Sequence, residues 1–173
     1  MVWWHRENAH QVYPLAPIQT EPHLIIGNWQ IILLDSNYNP ESNCYEGEVS
    51  LSELQRVTQL VAQHPDKSTM IAMHHNLPNH EDRGIAHEIR NHQQVMAHFE
   101  QLSTIKLVLS GHVHQEFVIV QQGICYFSTP ATGYQSLSKS KQVTGEAHGY
   151  RWLKLYHNGR FETDVRRITT LPS

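Results

Sequence analysis

Ile105-Lys106-Leu107-Val108-Leu109-Ser110-Gly111-His112-Val113-His114 is the stretch that decides the fold. A short apolar run, 105–109, reads as a strand buried on both faces, and the chain leaves it through a serine, a glycine and two histidines. Histidines at i and i+2 on an extended chain point to opposite faces. They converge only where the backbone turns, and a glycine just before the pair permits that turn.

Working back from this strand, the same arrangement occurs once more. Ser68-Thr69-Met70-Ile71-Ala72-Met73 is a second buried strand, and it runs into His74-His75-Asn76-Leu77-Pro78. Between the two, a helix is predicted over 87–102 on the spacing of Ile89, Val95, Met96, Phe99 and Leu102. Further back, Trp29-Gln30-Ile31-Ile32-Leu33-Leu34-Asp35 is a third apolar strand. Ser50 and Glu53 then open a helix as a capping box, with Leu51, Leu54, Val57, Leu60 and Val61 at helical spacing and an end near His64, before Pro65. Residues 1–23 contain Pro14, Pro17 and Pro22 and predict an irregular lead-in. Forward from His114, Phe117–Val120 and Ile124–Phe127 predict a hairpin around Gln122-Gly123, and residues 128–148 a long loop. Tyr150–Tyr156 and Phe161–Ile168 predict a second hairpin, with Asn158-Gly159 as a type I′ turn. Strands alternating with helices early and pairing with one another late predict an α/β protein with a mixed sheet.

Composition narrows the classes. The chain has 173 residues, 39% apolar and 17% charged, with a net charge of −3. No basic cluster stands out, so nucleic acid is not an expected partner. No apolar run approaches the ~20 residues that span a membrane, and Met1–Arg6 lacks the apolar segment of a secretory signal. Cys44 and Cys125, far apart, predict free thiols and a cytoplasmic location. Fourteen histidines are the outlier. His5, His10, His64, His87, His92 and His98 sit in polar surroundings and suit a surface. The two groups at strand ends suit a metal, because loops at the ends of sheet strands are held by a rigid scaffold. Either group alone is a weak signal; both together, each closing a buried strand, are a specific one.

Strand-HHxxP followed by helix and strand-SGHVHQ resembles the last two metal motifs of the calcineurin-like metallophosphoesterases. The resemblance is strongest to the bacterial class III 3′,5′-cyclic-AMP phosphodiesterases. Trp29–Ser36 is similar to their W-x-I-x-L-L-D-S strand, Gly47-Glu48-Val49-Ser50 with Leu54 to their G-x-L-S-x-x-Q-L helix start, and Ser128-Thr129-Pro130 with Gln135 to their T-P-S-x-x-x-Q loop. Gly149–Leu153 with His157-Asn158-Gly159 is similar to their closing hairpin. The match runs over residues 24–168. It implies a four-layer α/β/β/α sandwich and hydrolysis of a phosphodiester, such as 3′,5′-cyclic AMP, by a metal-activated hydroxide. It implies divalent transition metals (Mn, Fe or Zn), two of them about 3.5–4 Å apart. By resemblance His74 and His112 ligate one ion and His114 the other, while His75 packs or contacts substrate.

The departure is as informative. The D-x-H, G-D-x-x-x-D and G-N-H-D motifs that supply such enzymes with acidic ligands and a catalytic histidine do not occur; Gly27-Asn28-Trp29 is not the last of them. Met1 falls close to where that motif would just have ended. We therefore expect 1–173 to form a single, incomplete domain corresponding to the C-terminal half of the family's domain. Three neutral imidazoles do not offset the charge of two adjacent divalent ions. The expectation is about one ion, impaired turnover, and self-association through a sheet edge that the absent half would cover. The alternative is an inactive domain binding a single metal or a partner chain. A cupin-type site, which also opens with HxH, is disfavoured by the spacing to Glu116 and by the helices between strands.

Overall fold

The structure, a computed structural model, describes residues 22–37, 47–78, 89–133 and 147–168. Within them a six-stranded sheet has the order β1-β2-β3-β4-β6-β5. Its strands are β1 (His23–Ile26), β2 (Trp29–Leu33), β3 (Ser68–Ala72), β4 (Ile105–Ser110), β5 (Phe117–Gln121) and β6 (Ile124–Ser128). β2, β3, β4 and β6 run parallel, and β1 and β5 are antiparallel edges. The parallel neighbours β2/β3 and β3/β4 are joined by helices α1 (Leu51–Gln63) and α2 (His92–Glu100), as parallel pairing requires. A two-stranded antiparallel sheet, β7 (His148–Leu155) and β8 (Phe161–Ile168), completes the described part.

Alternation along the strands divides the core between the two faces of the large sheet. Ile32, Leu34, Ile71, Val108 and Tyr126 pack with Leu54, Val57 and Val61 of α1 and Val95, Met96 and Phe99 of α2. Trp29, Met70, Leu107 and Phe127 face the other way, against Leu153, Leu155 and Phe161 of the small sheet. Phe161 meets Trp29 and Phe127 edge-on, with centroids 6.3 and 5.9 Å away, and the Trp29 indole N–H donates to the Tyr156 carbonyl at 2.8 Å. Fully buried side chains of this kind contribute roughly 1.5–3 kcal/mol each by leaving water. The α/β class stands, as helices, six-stranded sheet and small sheet in successive layers.

Several local expectations are corrected. β1 lies where the irregular lead-in was expected to end. Leu24-Ile25-Ile26 before Gly27-Asn28 is a hairpin signal, and Gly27 adopts φ +57° in the turn. The strand from Trp29 ends at Leu33, short of Asp35. α2 begins at His92 because Ile89 bridges to Gly47 and Asn91 spends its amide on Val49, donating to its carbonyl at 2.8 Å and accepting from its N–H at 3.2 Å. Residues 87–88 lie outside the described part, as do 134–146 of the long loop. The capping box is half-made: Ser50 Oγ accepts from the Glu53 N–H at 3.1 Å, but the Glu53 carboxylate turns to the Asp35 N–H and Arg56. Asn158-Gly159 is not type I′, since only Gly159 has positive φ. The Tyr156 N–H donates to Arg160 O and the Gly159 N–H to Tyr156 O, a three-residue loop.

Candidate metal centre

Because β2, β3 and β4 are parallel, their C-terminal ends open on the same edge of the sheet, where ligands of such sheets collect. The chain leaving β2 brings Ser36, the chain leaving β3 brings His74 and His75, and the chain leaving β4 brings His112 and His114. The ladder runs on past the strands: the Met73 N–H donates to Leu109 O and the Gly111 N–H to His74 O, both at 3.0 Å. His74 and His112 are thus held side by side by their own backbones.

His112 Nδ1 stands 3.0 Å from His74 Nε2. The His75 ring closes a triangle, its centroid 4.7 Å from that of His74 and 4.5 Å from that of His112; the third side is 4.9 Å. One nitrogen of each of these three residues lies within 4.8 Å of the other two. Two imidazole nitrogens bound to one tetrahedral zinc, each ~2.0–2.1 Å from it, stand roughly 3.3 Å apart. Small ring movements therefore suffice for them to share an ion. His114 is not in the triangle, but it is near enough for its charge to act on His74 and His112.

The electrostatics favour the ligand form. Burial first, then His112 and His74, hold the His75 pKa down to about 3, against a weaker upward pull from Ser36. Burial, then His74 and His114, hold His112 at about 4. His74 lies at the exposed rim, yet loss of water around its ring, followed by His114, lowers its pKa too. All three offer neutral lone pairs at neutral pH, as metal ligation requires.

The turn at the histidines is not made as expected. Gly111 keeps negative φ, and His112 and His114 themselves adopt φ +63° and +57°. The Val113 N–H donates to Gly111 O at 2.7 Å, so His112 centres a three-residue γ-turn. Left-handed backbone at non-glycine residues costs of order 1–3 kcal/mol and concentrates at functional sites. Here it turns the two imidazoles off the strand's alternation.

Sequence reasoning left two residues without a role. Ser36 Oγ lies 2.9 Å from His75 Nδ1, and Gly47 packs so closely that a Cβ there would stand 2.5 Å from the same nitrogen. Both fall inside the motifs quoted above, which was the available signal. Of the carboxylates, Asp35 is exposed and accepts from the Asn37 N–H at 2.8 Å, and no Asp or Glu among the described residues joins the histidine group. Glu81 and Asp82 lie outside the described part.

No protein-family model matches the chain. A 3′,5′-cyclic-nucleotide phosphodiesterase of Nostoc sp. is 33% identical over 145 residues, 82% of this chain and 53% of the relative. The 3′,5′-cyclic adenosine monophosphate phosphodiesterase CpdA of Escherichia coli is 30% identical over 157 residues, 88% of this chain and 56% of its own length. The chain spans about half the length of these relatives. Among solved structures, a dimetal phosphatase from Danio rerio superposes with a TM-score of 0.51 at 14% identity, over 82% of this chain and 55% of that one, a likeness of fold. Over 82–88% of its length this chain is similar in sequence to proteins named cyclic-nucleotide phosphodiesterases, and its fold is like that of a dimetal phosphatase.

Proposed function

We propose that this chain supplies the histidine side of a metal-dependent phosphodiesterase centre. The reaction of the whole protein would be hydrolysis of a phosphodiester, with 3′,5′-cyclic AMP the first substrate to test. The observation that carries this reading is the 3.0 Å approach of His112 Nδ1 to His74 Nε2 at the ends of two parallel strands. The activity in the relatives' names supports it.

His74 and His112 would hold one divalent ion, Mn, Fe or Zn, and His114 would face a second position beside it. Such an ion, when bound, supplies Lewis-acid stabilisation of phosphoryl oxygens and a more acidic water. The chain's own contribution is a set of imidazoles kept neutral by burial and fixed by the sheet, which orient whatever they hold with only small ring movements.

No carboxylate among the described residues joins them, so the isolated chain takes about one ion and turns over slowly. That same observation favours the second reading, a single-metal or interaction domain derived from the phosphodiesterases. Self-association is part of the proposal, because both sheet edges carry exposed apolar side chains: Ile25 and Ile26 on β1, Val118 and Val120 on β5. No helix among the described residues is long and apolar enough to cross a membrane. A cytoplasmic location suits the free Cys125 thiol; Cys44 lies outside the described part.

The test is hydrolysis of 3′,5′-cyclic AMP with Mn²⁺ by the chain alone, then with the unmatched half of a relative added as a separate polypeptide. We expect very low turnover alone and a large increase in the mixture. Equal, negligible turnover in both would favour the inactive reading.

A further inference from the structure

A second pair of histidines meets away from the strand-end group. His23 opens β1 and His64 is the C-cap of α1, and their ring centroids stand 5.6 Å apart with the planes tilted by 38°. Both residues are half-buried. Two imidazoles on one tetrahedral ion, each ~2.0–2.1 Å from it, hold their centroids roughly 5 Å apart. A small ring movement closes the difference.

Each ring is positioned by contacts of its own. His23 lies opposite Ile32 in the β1–β2 ladder, and its Nε2 reaches diagonally to Gln30 Oε1 at 3.2 Å. Gln30 is fully buried, and its amide N–H donates to Thr69 Oγ1 at 2.8 Å. Thr69 Oγ1 in turn lies 2.9 Å from Thr104 Oγ1. The amide oxygen of Gln30 therefore faces His23, and an amide oxygen only accepts. The His23 proton sits on Nε2 and its lone pair on Nδ1.

His64 is held through its backbone. Its N–H donates to Val61 O at 3.2 Å, and its carbonyl accepts from the Lys67 N–H at 3.1 Å. The segment that follows is tied to the β1–β2 turn, where Lys67 Nζ donates to Gly27 O at 3.2 Å and the Ser68 N–H to Asn28 O at 3.0 Å. The pieces of chain that carry the two rings are thus fixed to one another.

Core packing does not call for the glutamine. Gln30 shares a face of β2 with Ile32, which packs in the apolar core under α1. An amide buried there costs roughly 1–3 kcal/mol unless it is satisfied, whereas an apolar side chain carries no such cost. Gln30 gives its N–H to Thr69 and its oxygen to His23. A far ring N–H given to a buried oxygen is the arrangement that fixes the tautomer and orientation of a histidine ligand.

We propose that His23, through Nδ1, and His64 form a second divalent-metal site completed by solvent, with Gln30 the positioning residue for His23. Ions that take imidazole fit it, Cu²⁺ more tightly than Zn²⁺. Two protein ligands hold an ion more weakly than the three or four of established zinc sites, so this one loses its ion on desalting. Its occupant clips the edge strand β1 to the end of α1. His64 precedes β3 and His74 follows it, so the length of that strand, Ser68–Ala72, separates the two sites. The proposal rests neither on the metal-centre reading above nor on any turnover.

The experiment is histidine-selective NMR of the full 173-residue chain carrying His74→Ala/His112→Ala, which removes the strand-end group, titrated with Zn²⁺ alone. We expect the metal-free His23 ring to carry its proton on Nε2. The ring signals of His23 and His64 should then shift together along one binding curve. Adding His64→Ala, which leaves the backbone hydrogen bonds of that residue intact, should weaken the response at His23 by more than about tenfold, the low end for loss of an outer partner alone. Rings that are merely stacked would respond along separate curves or not at all. Either of those results, an unchanged His23 response in His64→Ala, or a metal-free proton on Nδ1 would overturn the proposal.

Discussion

His74 and His112 are 38 residues apart in the chain, yet their ring nitrogens meet at 3.0 Å. Nothing local to either residue accounts for that approach. It follows from two parallel strands ending in register and from a ladder that continues for two more hydrogen bonds. Disturbing the register should therefore disable the site from a distance. Leu107 is fully buried on β4, opposite Met70 of β3. Leu107→Ala should cost about 2–5 kcal/mol of stability, measured by denaturant unfolding. A cost below about 1 kcal/mol would mean that the small sheet does not pack on this face as described.

The histidine pKa values set an acid limit. Folded His75 and His112 titrate near 3 and 4, whereas unfolded histidine titrates near 6.5. Between these values the unfolded chain binds protons that the folded chain refuses, so stability rises with pH across the interval. The metal-free chain should keep full stability above about pH 6.5 and lose it progressively as pH falls towards 4. Thermal melts across this range should show the slope, and His75→Leu should flatten it. A melting temperature that is flat from pH 7 to 4.5 in the wild type would contradict the burial of these rings.

Much of the fold was legible because its signals are periodic. The strands at Trp29, Ser68 and Ile105 carry apolar runs of strand length, and α1 has both a capping serine and an apolar stripe, so each was found within a few residues. The misses have physical causes. β1 is a four-residue edge strand whose Leu24-Ile25-Ile26 run is too short to outweigh three nearby prolines. The late start of α2 depends on the amide of Asn91 reaching Val49, a contact 42 residues away in sequence that no local pattern encodes. At the site, His74 and His112 were visible because each closes a strand. The role of Ser36 was not, since a serine after an apolar strand looks like any loop residue until β2 and β3 are laid in parallel.

The exposed edges give a prediction about assembly. Val118 and Val120 are 53% and 66% exposed on β5, an edge strand with no neighbour beyond it among the described residues. Such edges template pairing with further chains. Sedimentation velocity should show concentration-dependent association, reduced in Val118→Lys/Val120→Lys, with melting temperature nearly unchanged. A wild-type monomer across a wide concentration range would show that these edges are harmless or covered.

Gly47 offers a sharper probe of local packing. A Cβ at this position would collide with the Ser36 carbonyl and the His75 ring, neither of them the far end of a flexible side chain. Gly47→Ala should lower the melting temperature, because it displaces both partners at once. Thermal melts of the variant beside the wild type read the difference. A wild-type melting temperature in Gly47→Ala would mean that the loop is free to move away and does not brace the ring.

A metal centre at the strand-end histidines has a direct consequence for metal content. The most direct measurement is metal stoichiometry by elemental analysis after equilibration with Zn²⁺ and desalting, for the wild type and the His74→Ala/His112→Ala double variant. About one ion per chain is expected in the wild type and close to none in the variant. Equal metal content in the two proteins, or none in either, would contradict it.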